Sequence, residues 1–454
     1  MTPAPAVWIS RRELLRRGLA GAGGLLLARG VGRSALGAAL DAGLAAKGAP
    51  KAPAKAVIQI WMWGGPCHLD TFDPKPEAGY NYCGPLSKPI EANVPGIRVC
   101  ELLPLLAKQA DKYAIIRGMT HEFSGHETAA YIAQTGRPPG GDRQVYPGVG
   151  AVVTLFKGSG ASYHGLLPPY IVLTTLQGRF SEDGFLGPRY KPFATGGNPA
   201  QNPFAVEGII APGITEQHQK TRRDMLHDLN TLGHALAGLP CLEASAACEK
   251  QAYDLILGDA GKVFDLSQEK DDLRDRYGRS TFGQSCLAAR RLVERGVPFV
   301  TINYPGWDTH KQHFQAMRRQ LPELDKGFGT LLQDLADRGL LASTIVWWGG
   351  EFGRTPKVMW EPPWDGGRGH YPKAYCTVLA GGGFKGGMAL GATDRTGETV
   401  KDRPVYPADL IASMYTQLGI DVAAKLPHPQ GLDVRVIPQP GEGVKMAGVL
   451  HEIM

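Results

Sequence analysis

Four short stretches of this chain concentrate the side chains that hold metals, move protons or attack esters. The first is Gly64-Gly65-Pro66-Cys67-His68-Leu69-Asp70-Thr71-Phe72-Asp73, and the second is Thr120-His121-Glu122-Phe123-Ser124-Gly125-His126. The third is Gly306-Trp307-Asp308-Thr309-His310-Lys311-Gln312-His313. The fourth is Gly349-Gly350-Glu351-Phe352-Gly353-Arg354-Thr355-Pro356, followed by Asp365-Gly366-Gly367-Arg368-Gly369-His370. Six of the twelve histidines fall in these stretches, beside carboxylates. Imidazole with carboxylate is a donor set suited to Zn²⁺ or another divalent ion. Each stretch also has a plainer reading. A loop histidine often only bonds a turn, and Asp308-Thr309 can cap a helix. Glu351 and Arg354 can be a simple ion pair, and Asp73 before a proline can be a turn former.

These stretches need a scaffold, and the sequence supplies one. Ala56 to Trp63 is a continuous apolar run stopped by Gly64-Gly65-Pro66, the pattern of a buried parallel strand opening into a loop. Further strands are expected at Tyr113–Ile116, Pro169–Leu173, Phe299–Tyr304, Thr344–Trp348 and Tyr375–Leu379. Helices are expected at Leu102–Lys112, His126–Gln134 (stopped by Gly136 and Pro138), Gly283–Arg295, Met317–Arg338 and Ala408–Leu418. Strand and helix alternate in the second half, which predicts a parallel sheet with helices on both faces. From Gln177 to Leu266 sheet alternation is lost, and an insertion or helical subdomain is expected. All four stretches follow apolar strands, where open α/β sheets bind ligands. The main domain is read as 56–440, with a short tail over 441–454.

The first 55 residues have a different character. They hold nine Lys/Arg against Glu13 and Asp41, a net of +7, whereas the whole chain carries +6. The remainder is therefore about −1, and a case for nucleic-acid binding from the basic balance collapses. Ser10-Arg11-Arg12-Glu13-Leu14-Leu15-Arg16 before the weakly apolar Gly18–Leu27 has the pattern of a twin-arginine export signal. The twin-arginine translocase is then the partner in export, and the periplasm or cell envelope the destination. The apolar run is too short for a permanent membrane span, which needs about 20 apolar residues. Ala38–Lys55 reads as a linker with several Ala-rich cleavage options. The seven cysteines show no CxxC spacing and imply at least one free thiol, Cys241 and Cys248 lying in one helical segment.

The residues resemble a known group. The run His126 to Arg137, ending in Thr-Gly-Arg, resembles the nucleophile helix of sulfatases and alkaline phosphatases. More closely, the chain resembles the exported bacterial family DUF1501, a branch of that superfamily, from about Ala56 to Pro438. The matching phrases are Gly64-Gly65-Pro66 with His68-Leu69-Asp70-Thr71-Phe72-Asp73-Pro74-Lys75-Pro76, Gly306-Trp307-Asp308-Thr309-His310, Gly350-Glu351-Phe352-Gly353-Arg354-Thr355-Pro356 and Asp402-Arg403-Pro404-Val405. The resemblance implies a three-layer αβα, alkaline-phosphatase-like sandwich around a mostly parallel sheet. It also implies departures from the superfamily pattern. Trp63-Gly64 stands where an Asp ligand ends the first strand, His126 stands at the nucleophile position, and Glu351-Phe352 replaces an Asp-His pair.

The expectation that follows is an exported, metal-dependent hydrolase of phosphate or sulfate esters. Its ligands would come from Asp308, His310, Glu351, His370, His68 and Asp70, with His313 as a substitute beside Asp308. His126 and Arg354 would be catalytic, Arg354 by stabilising developing negative charge. The metal would be Zn, with Ca or Mg as alternatives, and the substrate a small anionic ester or a sulfated or phosphorylated glycan. The competing reading is a catalytically degenerate binder of a metal, glycan or protein; a third is a mutase or isomerase on the remodelled site.

Overall fold

The computed structural model describes residues 53–139, 144–158, 161–176, 182–207, 214–229, 258–439 and 441–454. The twin-arginine phrase, most of the linker, Cys241 and Cys248 lie outside them. Residues 214–229, with the helix Glu216–Leu229, and Gly258 belong to one compact unit, and the remaining described residues form another. The rest of the description concerns the larger unit.

Its centre is an eight-stranded sheet. In chain order the strands are β1 (Ala56–Met62), β2 (Tyr113–Met119), β3 (Tyr170–Leu173), β4 (Phe193–Ala194), β5 (Phe299–Tyr304), β6 (Thr344–Gly349), β7 (Tyr375–Ala380) and β8 (Met388–Leu390). Their spatial order is β8-β2-β7-β6-β1-β5-β3-β4. All pairs are parallel except those of β7, which runs antiparallel to both β2 and β6. Every residue of β1, β3, β5, β6 and β7 is buried. Strands buried on both sides require a covering layer on each face, so the architecture is a three-layer α/β sandwich, as expected. The layers include helices α1 (His126–Thr135), α2 (Val149–Lys157), α3 (Thr281–Glu294), α4 (His313–Asp337) and α5 (Pro407–Gln417).

Several elements match their sequence signals closely. α1 ends at Gly136 in the left-handed conformation, φ 69°, which glycine adopts without steric cost. Others differ for visible reasons. The helix expected over Leu102–Lys112 is only Pro104–Ala107 followed by a 3₁₀ turn at Ala110–Lys112. The Asp325 carboxylate of α4 caps its start, accepting from the amides of Leu105 and Leu106 at 2.9 and 2.8 Å. α4 begins at His313, a turn before the expected Met317. Part of the expected insertion is sheet: β4 pairs with β3 at the edge. The 441–454 segment is docked rather than loose, with Leu450 and Ile453 fully buried and Asp409 of α5 accepting from the amides of Ala447 and Gly448. Cys67, Cys83, Cys100, Cys286 and Cys376 are all buried free thiols.

Candidate functional site

Three parallel strands at the sheet centre, β6, β1 and β5, release their chains at one edge. Trp63-Gly64 follows β1, Asp308 follows β5, and Glu351 follows β6. The loop after β2 opens α1 with His126, and β7, being antiparallel, brings the preceding His370 to the same edge. Residues 126, 308, 351 and 370 meet because of strand order, not sequence proximity.

The contacts are specific. His126 Nε2 lies 3.3 Å from Asp308 Oδ2, and His370 Nε2 lies 3.2 Å from Asp308 Oδ1. His310 Nε2 is 3.1 Å from the same Oδ1 and 2.9 Å from His370 Nε2. Among the described residues, His126, Asp308 and His370 place one ligand atom each within 4.8 Å of one another. The other nitrogens of two rings are committed. His126 Nδ1 donates to Glu351 Oε1 at 2.7 Å, and His370 Nδ1 donates to the Ser124 carbonyl at 2.7 Å. In the neutral tautomers, both Nε2 lone pairs therefore aim at an ionised carboxylate. Lone pairs facing lone pairs are repulsive unless a proton on the ring or a bound cation sits among them. This is the arrangement of metal-binding histidines, whose second nitrogen is fixed by a carboxylate or carbonyl. The spacings of 2.9 to 3.3 Å fit the edge of about 3.3 Å that tetrahedral bonds of about 2.0–2.1 Å produce.

Electrostatics agree. Partial burial works against ionisation of Asp308, yet the bonds from His370 and Arg354 hold its carboxyl well below the usual carboxylate range. The Glu351 bond, against burial, raises His126 from its ordinary value. Burial lowers His310, with Asp308 opposing. The Asp308 side chain keeps 43% exposure, so the cluster is open to solvent, while Glu351 behind it is fully buried.

This geometry now stands beside one further observation. Residues 54–446 match the family described as "Protein of unknown function (DUF1501)". The chain belongs to DUF1501. No curated protein matches it. Similar solved structures include Ps i-CgsB, 14% identical over 82% of this chain and 73% of that one with a TM-score of 0.39. The PsFucS1 sulfatase from Pseudoalteromonas sp. is 14% identical, covering 82% and 68%, with a TM-score of 0.34. A protein in the alkaline phosphatase superfamily from Vibrio parahaemolyticus is 11% identical, covering 85% and 74%, with a TM-score of 0.35.

Several expectations for this DUF1501 chain need correction. His68 is fully buried, its Nε2 bonded to the Gly397 carbonyl at 2.9 Å, and it does not reach the cluster. Asp70 is also fully buried, paired with Arg368 Nε and His313 Nε2, each at 2.8 Å. His313, held by Asp70, is likewise removed from Asp308. Arg354 is another. Its guanidinium is buried and donates to the carbonyls of Gly64, Gly65 and Arg368 and to Asp308 Oδ1. With those donors committed, it positions Asp308 and does not stabilise charge on a ligand. Asp73, expected only to form a turn, is a buried ion-pair partner of Lys75 and Arg117.

Sequence reasoning missed supporting residues. The Ser124 carbonyl carries no side-chain signal at all. His121 is neutral and buried, pushed down to about 4 by burial, and donates Nε2–H to the Glu351 carbonyl at 2.7 Å. Trp63 stacks on His126 at 5.6 Å and Phe352 on His370 at 4.6 Å, walls that only the fold reveals.

Gly64 explains why this chain has no carboxylate ending β1. Its φ is +109°, its amide donates to Glu351 Oε1 at 2.9 Å, and an added Cβ would lie 2.1 Å from the Asp308 amide nitrogen. The β1 loop runs directly beneath Asp308, leaving no room for a side chain. Gly64→Ala is therefore expected to displace Asp308 or unfold the edge. Thermal melting and metal content should both fall; wild-type values for both would show that the loop relaxes freely.

Proposed function

We propose that this DUF1501 chain is an exported, metal-dependent hydrolase of phosphate or sulfate esters. His126, Asp308 and His370 hold the metal, His310 supplies a further ligand, and Glu351 supports them from behind. The observation that carries the reading is the pair of histidines whose Nδ1–H groups are locked on Glu351 and Ser124, so that their Nε2 atoms converge on Asp308. Two or three imidazoles with one carboxylate favour Zn²⁺ over Ca²⁺ or Mg²⁺, which prefer all-oxygen sites. A bound divalent metal supplies Lewis acidity toward the ester oxygen and toward water. The protein's own residues orient and charge-balance. Arg354 fixes the Asp308 carboxylate, Glu351 fixes the His126 tautomer, and Trp63 and Phe352 hold the rings in plane. His126 stands where the superfamily resemblance expects a nucleophile, but its Nε2 faces Asp308; in this reading it is a ligand, and water attacks.

That an imidazole and not a hydroxyl or thiol stands at position 126 favours the second reading, a binder that holds a metal or glycan without turnover. Metal analysis of purified protein, with a screen of aryl phosphates and sulfates under Zn, Mn, Mg and Ca, separates the two. Hydrolysis supports the first reading, and bound metal without turnover on any ester supports the second. His428→Ala, far in role from the cluster, should leave turnover unchanged. Glu351→Gln keeps an acceptor for Gly64 but removes the charge on His126, and should weaken metal binding about 10–100-fold in chelator competition. Unchanged affinity would remove Glu351 from the scheme.

Export rests on the Ser10–Arg16 phrase. Replacing Arg11 and Arg12 together with lysine should leave the precursor in the cytoplasm of the producing cell. Fractionation of the intact chain reads the outcome, and undiminished export would reject the twin-arginine route.

A further inference from the structure

Away from the cluster, the loop ending at Asp73 meets the hairpin Ile90–Glu91/Arg98–Val99 and the turn 394–399. Between them lies a cavity of about 400 Å³ whose lining includes Asp73, Lys75, Glu77, Arg98, Arg117 and Arg395. Four of these are cations and two are anions, so the lining is net positive. The imbalance is sharper than the count. Asp73 is almost fully buried and its Oδ1 serves two cations at once, Lys75 Nζ at 3.0 Å and Arg117 Nε at 3.2 Å, while Thr393 donates to Oδ2. Arg98 and Glu77 form an exposed pair at 3.2 Å, of a kind that contributes little. Arg395 is exposed and has no ion-pair or hydrogen-bond partner among the described residues. Its neighbour Asp394 is turned into its own loop, accepting from Thr396, Glu398 and Thr399.

A purely structural ion-pair network would balance its charges. Here one buried carboxylate is shared, one guanidinium is left over, and the side chains of Lys75 and Arg117 keep only 19% and 17% exposure, where solvent screens them poorly. Ammonium and guanidinium groups around one concavity are the donors that recognise tetrahedral oxyanions. We infer that this cavity is an anion subsite that takes a phosphate or sulfate group, separate from the candidate metal cluster.

Its place in the fold gives it a use. The turn carrying Arg395 is pinned to both loops that feed the cluster. His68 Nε2 bonds the Gly397 carbonyl at 2.9 Å, and the Tyr371 hydroxyl, next to His370, donates to the Glu398 carbonyl at 2.6 Å. Resting on the hydrolase reading, this makes the substrate a polyanion: one ester group is held at Arg395 while another meets the metal ligands. The group bound could equally be a free anion, and the test separates the sources.

Full-length protein, stripped of metal with a chelator, is titrated calorimetrically with inorganic sulfate, inorganic phosphate and dextran sulfate. At least one should bind, more weakly as salt rises. Tighter binding of dextran sulfate per sulfate group assigns the site to a polymer's esters, and equal or tighter binding of the inorganic ions assigns it to free anion. Arg395→Ser should weaken binding at least about tenfold, Arg395→Lys should restore part of it, and His428→Ala should bind as wild type. Because the Arg395 side chain is exposed and unpartnered, its variants should melt as wild type does. No binding of any of the three, wild-type binding by Arg395→Ser, or loss of binding in His428→Ala would each overturn the inference. Anion binding that persists in a protein with no esterase activity would sink the hydrolase reading alone.

Discussion

Asp308→Asn protein should emerge from dialysis without metal and without ester hydrolysis, while keeping its fold. Asp308 is the one anion that His126, His310, His370 and Arg354 all face. The amide removes that charge and presents N–H groups where oxygen lone pairs were. Three imidazoles and a guanidinium are then left around a neutral side chain, and a divalent cation entering them meets net positive charge. Loss of an outer partner of a metal site costs about 10–100-fold in affinity, and loss of the shared inner carboxylate should exceed that range. Because the side chain is part-exposed, the sheet beneath should tolerate the change. Elemental analysis and circular dichroism on the same sample decide it. Wild-type metal stoichiometry in a folded Asp308→Asn protein would show that the cluster does not hold the ion.

The largest stability effect is expected at Asp70→Leu. Asp70, His313 and Arg368 form a fully buried network, with Arg368 also donating to the Thr355, Pro356 and Tyr82 carbonyls and His313 accepting from Thr309. Burial alone would raise the Asp70 carboxyl, but Arg368 and His313 hold it below its ordinary value. The leucine variant strands a guanidinium in the interior, at a cost of about 3–5 kcal/mol. Asp70→Leu with Arg368→Met removes both charges and should recover most of that loss. The sign with pH follows from a depressed carboxyl: the Asp70 contribution is present above the usual carboxylate range and disappears as pH falls through the folded value. Urea unfolding of the three proteins measures this. A single variant within about 1 kcal/mol of wild type would mean that the network contributes little, since broken buried pairs cost several times that.

Legibility in the sequence followed burial. β1, β5 and β6 announced themselves because strands covered on both faces need mostly apolar residues. α1 was bounded by Gly136, whose left-handed φ only glycine adopts easily. The direction of β7 was not legible, since an all-buried strand has the same composition in either orientation. β4, two residues long, is too short to show a pattern. At the site, residue type and strand-end position pointed to Asp308, Glu351 and His370, which the fold brings together with His126 and His310. The same criteria pointed equally to His68, Asp70 and Arg354. What separates the two sets is whether the polar group turns into the interior or out over the sheet edge, and one chain's residue types do not encode that. The Ser124 carbonyl was invisible because every residue has one.

The pairing of β1 with β5 and β6 has a consequence for how the molecule comes to exist. Gln59 bonds Thr301 across 242 positions, and Gly64 bonds Glu351 across 287. During translation the first strand of the sheet emerges early, has no neighbour until residue 304 of 454 has been made, and lacks its second until residue 349. Contacts this distant along the chain close slowly, so the nascent first strand, apolar but for Gln59, must be kept from aggregating while the ribosome finishes.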